Sequence, residues 1–230
     1  SLYYRIWLKG PSVILHNTEF RVYSVIIFTS ILLITLNLIV EMNIDVLTAL
    51  RIAVFQTTSL STTGFVSTDF ETFSKLLLLL LMVIGGCAGS TASGIKVARL
   101  ILLIQNAHAI VIQKLNPNRV IDISLGGAHI DNAALMRVGT FFFLYLAIIF
   151  VTAFLLTLDG LLPFDSIAVA VTTLGNIGPA FGLISATSTY APLSDFVKSV
   201  LCLTMLLGRL EIFTLLILVR PSFWRKTKRW

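Results

Sequence analysis

The sequence predicts an all-α integral membrane fold made of two helix–loop–helix repeats. Three observations predict it. Of the 230 residues, 57% are apolar and 12% charged, about half the charge of a typical soluble domain. Apolar runs of bilayer length recur at Phe20–Val40, Ala133–Leu158 and Phe196–Val219. The order long helix, short helix, glycine-bearing polar loop, long helix occurs twice, and an internal repeat decides the architecture of a chain.

Residues 1–19 carry Arg5, Lys9 and Glu19. They lack a signal-peptide pattern, and the chain reads as an N-terminally truncated piece of something longer. Phe20–Val40 is the first span. Asp45 is placed as an N-cap for the amphipathic segment Val46–Thr58. That segment is too short to cross a bilayer and predicts a re-entrant helix. Gln56–Phe70, QTTSLSTTGFVSTDF, is the first polar loop. A leucine-rich run, Lys75–Ile84, follows. Gly85–Gly94, GGCAGSTASG, interrupts it, and helical character resumes over Ile95–Ile112. The first repeat therefore covers residues 20–112.

A polar connector, 113–132, contains Lys114, Pro117, Arg119 and the pair Gly126-Gly127. Ala133–Leu158 is the next span. Asp159-Gly160 makes a turn, and Pro163 fits the first position of a short helix over Phe164–Thr173. Leu174–Gly182, LGNIGPAFG, is the second loop. A polar stretch leads to Asp195 and the last span, closing a second repeat over 133–219. Residues 220–230 form a basic tail in which Trp224 and Trp230 suit an interfacial anchor.

The formal charge of +6 raises the question of a nucleic-acid partner, but its distribution argues for a membrane topology instead. The N-terminal segment, connector and tail hold most of the basic residues, including Lys114, Arg119, Arg137, Arg220 and Arg225. The loop sides hold Glu41, Asp45, Asp69, Glu71, Asp159, Asp165 and Asp195. The positive-inside rule then puts both loops outside and the termini and connector in the cytoplasm. Cys87 and Cys202 lie in apolar segments, so no disulfide framework is expected. His16, His108 and His129 lack metal-ligand spacing, and no Ser/His/Asp or Cys/His constellation points to an enzyme.

In a membrane, non-helical backbone persists only where protein buries it or water lines it. A Ser/Thr-rich loop at the end of a short helix suggests oxygens turned toward an ion. Thr62-Thr63-Gly64-Phe65 has the order of a potassium-channel filter without its second glycine. Asn176-Ile177-Gly178-Pro179 occupies the matching place in the second repeat. Each short helix would enter from outside and end at its loop, so its partly negative C-terminus favours a cation there. Glycine permits the backbone angles that turn successive carbonyls to one side. The plain alternative is a pair of turns closing a packed bundle.

Gly89–Gly94 has the spacing of a phosphate loop, but Ile95 displaces the lysine to Lys96 and no strand precedes it. The alternatives for Gly85–Gly94 are an intramembrane loop and a close-packed small-residue contact. Arg209 and Glu211 fall within the last span, where ionisable residues face a bundle interior or a water-filled cavity.

Taken together, STTGF with Ser67-Thr68-Asp69-Phe70, NIGPAFG, GGCAGSTASGIK and LLGRLEIFTLL resemble the TrkH, TrkG and KtrB family of bacterial potassium-uptake membrane subunits. The likeness covers essentially the whole chain in family order. It departs from the family at Ala180, where glycine is frequent. The resemblance implies a potassium-channel-like architecture of four helix–pore-loop–helix repeats, of which this chain is similar to the third and fourth. It implies K⁺ held at Thr62, Thr63, Gly64, Phe65, Asn176, Ile177, Gly178 and Pro179, with no cofactor. It implies a gate at Gly85, Gly86, Cys87, Ala88, Gly89, Ser90, Thr91, Ala92, Ser93 and Gly94, with Arg209 facing the path. Its expected partners are membrane lipid, the missing N-terminal half, a second copy in a homodimer, and a cytosolic TrkA-like nucleotide-binding regulator. Its expected place is the bacterial inner membrane. A secondary ion-coupled transporter with discontinuous helices is the alternative, and a structural scaffold a third.

Overall fold

The computed structural model describes residues 17–66, 70–90, 93–117, 121–178, 181, 189–210 and 212–219. Among these, α1 (Thr18–Met42), α2 (Val46–Leu60), α3 (Thr72–Ile84) and α4 (Val97–Leu115) build the first repeat. The second is built from α5 (Asn132–Thr157), α6 (Pro163–Leu174), α7 (Asp195–Arg209) and α8 (Ile212–Val219). Thr91, Ala92, Pro179, Glu211 and the tail with Trp224 and Trp230 lie outside the described residues, as do Ser67, Thr68, Asp69 and Ala180.

Local chemistry sets the helix starts. Asn17 accepts from the amide of Phe20 at 3.2 Å, and Asp45 from that of Leu47 at 3.3 Å. Pro163 opens α6, where a missing N–H costs nothing. α1 and α5 are long and apolar enough to cross a membrane. α2 and α6, of 15 and 12 residues, are only about 22 and 18 Å long at the helical rise and stop partway.

Each short helix packs on the long helix before it, α2 on α1 and α6 on α5. α6 sits deepest: every residue from Ala168 to Leu174 is buried. It touches α3, α5 and α7, and its core joins Leu78 and Met82 of α3 with Tyr145 and Ile149 of α5. In lipid the gain from such contacts is close packing and satisfied polar groups rather than escape from water. Ser74 accordingly donates to Asn37 at 2.7 Å, tying α3 to α1. Outward faces remain apolar, as at Val25, Phe28, Leu32, Leu36 and Val40 of α1 and Phe143, Phe150 and Phe154 of α5. Contiguous apolar surface of this kind suits lipid or further helices.

Two details differ from the expectation. The connector contains a minimal antiparallel hairpin, β1 (Ser124–Leu125) with β2 (Ala128–His129), turned at Gly126-Gly127, with the His129 ring against Asp122. The last span is not continuous. α7 ends at Arg209, Leu210 leaves helical geometry at φ −86° and ψ 4°, and α8 begins at Ile212. Gly208, Arg209 and Glu211 interrupt the apolar run around Leu210, but apolar residues resume on both sides, and the span reads as one segment by length.

Candidate functional site

The first loop is wound by one carbonyl. Ser59 O, at the end of α2, accepts from the amides of Thr62, Thr63 and Gly64 at 3.0, 2.7 and 2.8 Å. This turns the chain sharply and leaves Gly64 at φ +84°, a conformation that a side chain disfavours. The next carbonyl, Phe65 O, accepts from Ser59 Oγ at 2.8 Å and Gln56 Nε2 at 3.3 Å, so it faces back to α2. Tyr23 of α1 meets Ser61 Oγ at 3.0 Å. Among the described residues, no hydrogen bond takes up the carbonyls of Thr62, Thr63 or Gly64.

The second loop also turns back on the end of its helix, but through three carbonyls rather than one. The amides of Gly175, Asn176 and Ile177 return to Val171, Thr173 and Thr172 at 2.8, 3.2 and 3.0 Å. Asn176 then adopts φ +52° and Gly178 φ +114°; asparagine is among the few side-chain-bearing residues that visit the left-handed region readily. The Asn176 amide donates to Met205 O of α7 at 3.1 Å and to Ser93 Oγ at 3.3 Å. Tyr190 Oη donates to Gly178 O at 2.8 Å. Burial pushes the Tyr190 phenol up, against a smaller opposing effect from its hydrogen bond with Thr172, so the hydroxyl stays protonated and remains a donor.

The two loops meet backbone to backbone. A Cβ on Gly64 would lie 1.9 Å from Ile177 O. A second close approach holds the far side of the second loop, since a Cβ on Gly208 of α7 would lie 1.9 Å from Leu174 O. The C-terminal ends of α2 and α6, each carrying partial negative charge, therefore end at one shared junction.

Gly85–Gly94 is an excursion with a sealed neck. Ile95 N donates to Val83 O at 3.2 Å, Lys96 N to Ile84 O at 2.9 Å and Val97 N to Gly86 O at 3.2 Å. Gly85 and Gly94, at φ +71° and +101°, lie side by side there, and a Cβ on Gly85 would come within 2.5 Å of Ser93 O. At the tip, the Ala88 amide donates to the Glu19 carboxylate of α1. Beneath lies a cavity of about 320 Å³ whose lining includes Ser90, Ser93, Lys96, Arg99, Tyr145 and Arg209. Arg99 stacks on Phe141 with its Cζ 4.1 Å from the ring centre. The structure thus brings Arg209 to the same cavity as the excursion.

Sequence reasoning placed these two loops and the excursion, and it missed the residues that hold them. Tyr190, Met205 and Gly208 lie far along the chain from the loop they support, and Glu19 far from the excursion. Ser59 and Gln56 carried a readable signal: polar side chains on a buried helix end need partners.

The family model for TrkH, described as a cation transport protein, matches residues 8–226. The chain is 36% identical over 226 residues to the Trk system potassium uptake protein TrkH of Salmonella typhimurium, covering 95% of this chain and 46% of that protein. It is 33% identical over 172 residues to the Trk system potassium uptake protein TrkG of Escherichia coli, covering 72% and 34%. The crystal structure of the potassium transporter TrkH from Vibrio parahaemolyticus matches with a TM-score of 0.87 at 33% identity, over 97% of this chain and 49% of that one. The chain spans about half the length of the curated relatives it matches.

Proposed function

Because the chain belongs to the TrkH family of cation transport proteins, we propose that it supplies two of four pore-loop repeats in a potassium-uptake subunit of the bacterial inner membrane. Residues 20–112 and 133–219 are the third-like and fourth-like repeats, 113–132 a cytoplasmic connector and 220–230 a cytoplasmic tail. The observation that carries the reading is the junction of two re-entrant loops at Gly64 and Ile177, each at the C-terminus of a short helix.

Transport in this reading involves no covalent chemistry. Carbonyls of Thr62, Thr63, Gly64, Asn176 and Ile177 replace water around K⁺, and the helix ends favour the charge. Phe65 and Gly178 serve the same filter differently, because their carbonyls anchor the loops to Ser59, Gln56 and Tyr190. Pro179 completes the set. Glu41, Asp45, Glu71, Asp159, Asp165 and Asp195 form an outer rim that raises local cation concentration. Gly85–Gly94 gates the path below the filter, with the Arg209 charge beside it. A TrkA-like nucleotide-binding ring governs the gate, and the subunit works as a homodimer.

Two loops supply half a ring of oxygens. This chain alone should give no growth in a strain lacking K⁺ uptake, whereas the complete protein should restore it. Robust uptake by the chain alone, with no paired assembly, would overturn the four-repeat reading.

Tyr190→Phe removes the hydroxyl that donates to Gly178 O and that also meets Thr172. Apparent K⁺ affinity should weaken about threefold to tenfold, the scale of one hydrogen bond, at unchanged amounts in the membrane. Because burial holds the phenol above its ordinary range, raising the pH from neutral to mildly alkaline should not reproduce the effect. Rubidium uptake against K⁺ competition checks both statements.

A further inference from the structure

We propose that the Asn176 side chain couples the filter to the gate. It is a positioning residue that ties the second loop both to the excursion and to α7, and the inference rests on the filter-and-gate reading above. Three features point to it. The Asn176 amide reaches Ser93, near the end of the excursion, and Met205 of α7 together. Its backbone is left-handed, so the side chain leaves the loop in a direction that few other residues reach without strain. Gly208 also leaves no room on α7 beside it, since a Cβ there would stand 2.7 Å from Asn176 Nδ2. A filter residue whose side chain served only its own loop needs neither the link to Ser93 nor the glycine opposite.

The consequence is a linkage. An ion held by the carbonyls of Asn176 and Ile177 orders the second loop, and that order keeps the amide on Ser93. Displacing the excursion breaks the same bond and loosens the loop. By reciprocity, whatever K⁺ in the filter does to the excursion, the excursion does to K⁺ affinity.

Cys87, in the excursion and partly buried, is a built-in reporter. In the complete protein with Cys87 as the sole cysteine, its reaction with a small maleimide is followed with K⁺ present or replaced by N-methylglucamine. K⁺ should slow labelling about threefold to tenfold, the scale of one side-chain hydrogen bond. Asn176→Gly keeps the left-handed backbone and loses the amide; Ser93→Ala loses the partner while every residue of the filter loop is kept, with its ties to Met205 and Tyr190. Both should make labelling insensitive to K⁺. A purely structural role would raise the labelling rate equally with and without K⁺, leaving their ratio unchanged. A ratio retained in both variants, or no K⁺ effect in the parent protein, overturns the coupling. Rubidium uptake under Na⁺ competition on the same preparation separates the two readings. Selective uptake with K⁺-independent labelling sinks the coupling alone, and non-selective uptake sinks the filter with it.

Discussion

Gly64→Ser in the complete protein should lower apparent K⁺ affinity by about tenfold or more and remove most of the discrimination against Na⁺. Two costs combine. A side chain at φ +84° is strained by about 1–3 kcal/mol. Its Cβ would also stand 1.9 Å from Ile177 O, a backbone atom that no rotamer change can move. The loops must separate, and the carbonyls on both sides move with them. Gly178→Ser makes the contrast: among the described residues its Cβ would meet nothing within 4 Å, which leaves the strain at φ +114°, and the loss should be several-fold smaller. Uptake of rubidium against rising Na⁺, normalised to protein in the membrane, measures both. Wild-type ion competition in Gly64→Ser would show that the loop junction serves packing alone.

Deleting Gly86 to Ser93 should raise K⁺ flux by about tenfold, within the usual range of a coupling free energy, and reduce its dependence on the cytosolic regulator. The neck makes such a deletion feasible. Gly85 and Gly94 already lie together, with a Cβ on Gly94 only 3.3 Å from Gly85 Cα. The bonds from Ile95 to Val83 and from Lys96 to Ile84 lie outside the removed segment. Selectivity should change little, because the filter keeps its ties to Met205 and Tyr190, while loss of the Ser93 tie weakens K⁺ affinity by only about threefold to tenfold. A folded deletion protein that no longer bound K⁺ would place the excursion in the ion site and favour a transporter with discontinuous helices.

Much of the architecture was legible in the chain. Long apolar runs marked α1 and α5, Asp45 and Pro163 marked the starts of α2 and α6, and repetition paired the loops. Glycine at 64 and 178 signalled unusual backbone angles, and both have positive φ. Which way a carbonyl faces was not legible. Glycine permits an angle without naming the partner that fixes it, and the donors to Phe65 and Gly178 come from side chains chosen by tertiary packing. The sealed neck was hidden for a similar reason: four glycines announce a broken helix, yet only the bonds across it show that the helix path resumes where it stopped. At Leu210 the sequence shows only Gly208 and the charges of Arg209 and Glu211, which mark a polar point in the span without saying that the helix ends there.

The two loops differ in portability. The first keeps its described side-chain ties within its own repeat, to Ser59, Gln56 and Tyr23, and most of them within Gln56–Phe65. It is a cassette, able to move as one block into another short helix of similar length and keep its shape. The second draws on Tyr190, Met205 and Ser93, from three separate places in the chain. Transplanted alone it would lose its form. Sequence drift around the first loop is therefore a local matter, whereas drift around the second must be answered by compensating change in α7 and in the other repeat.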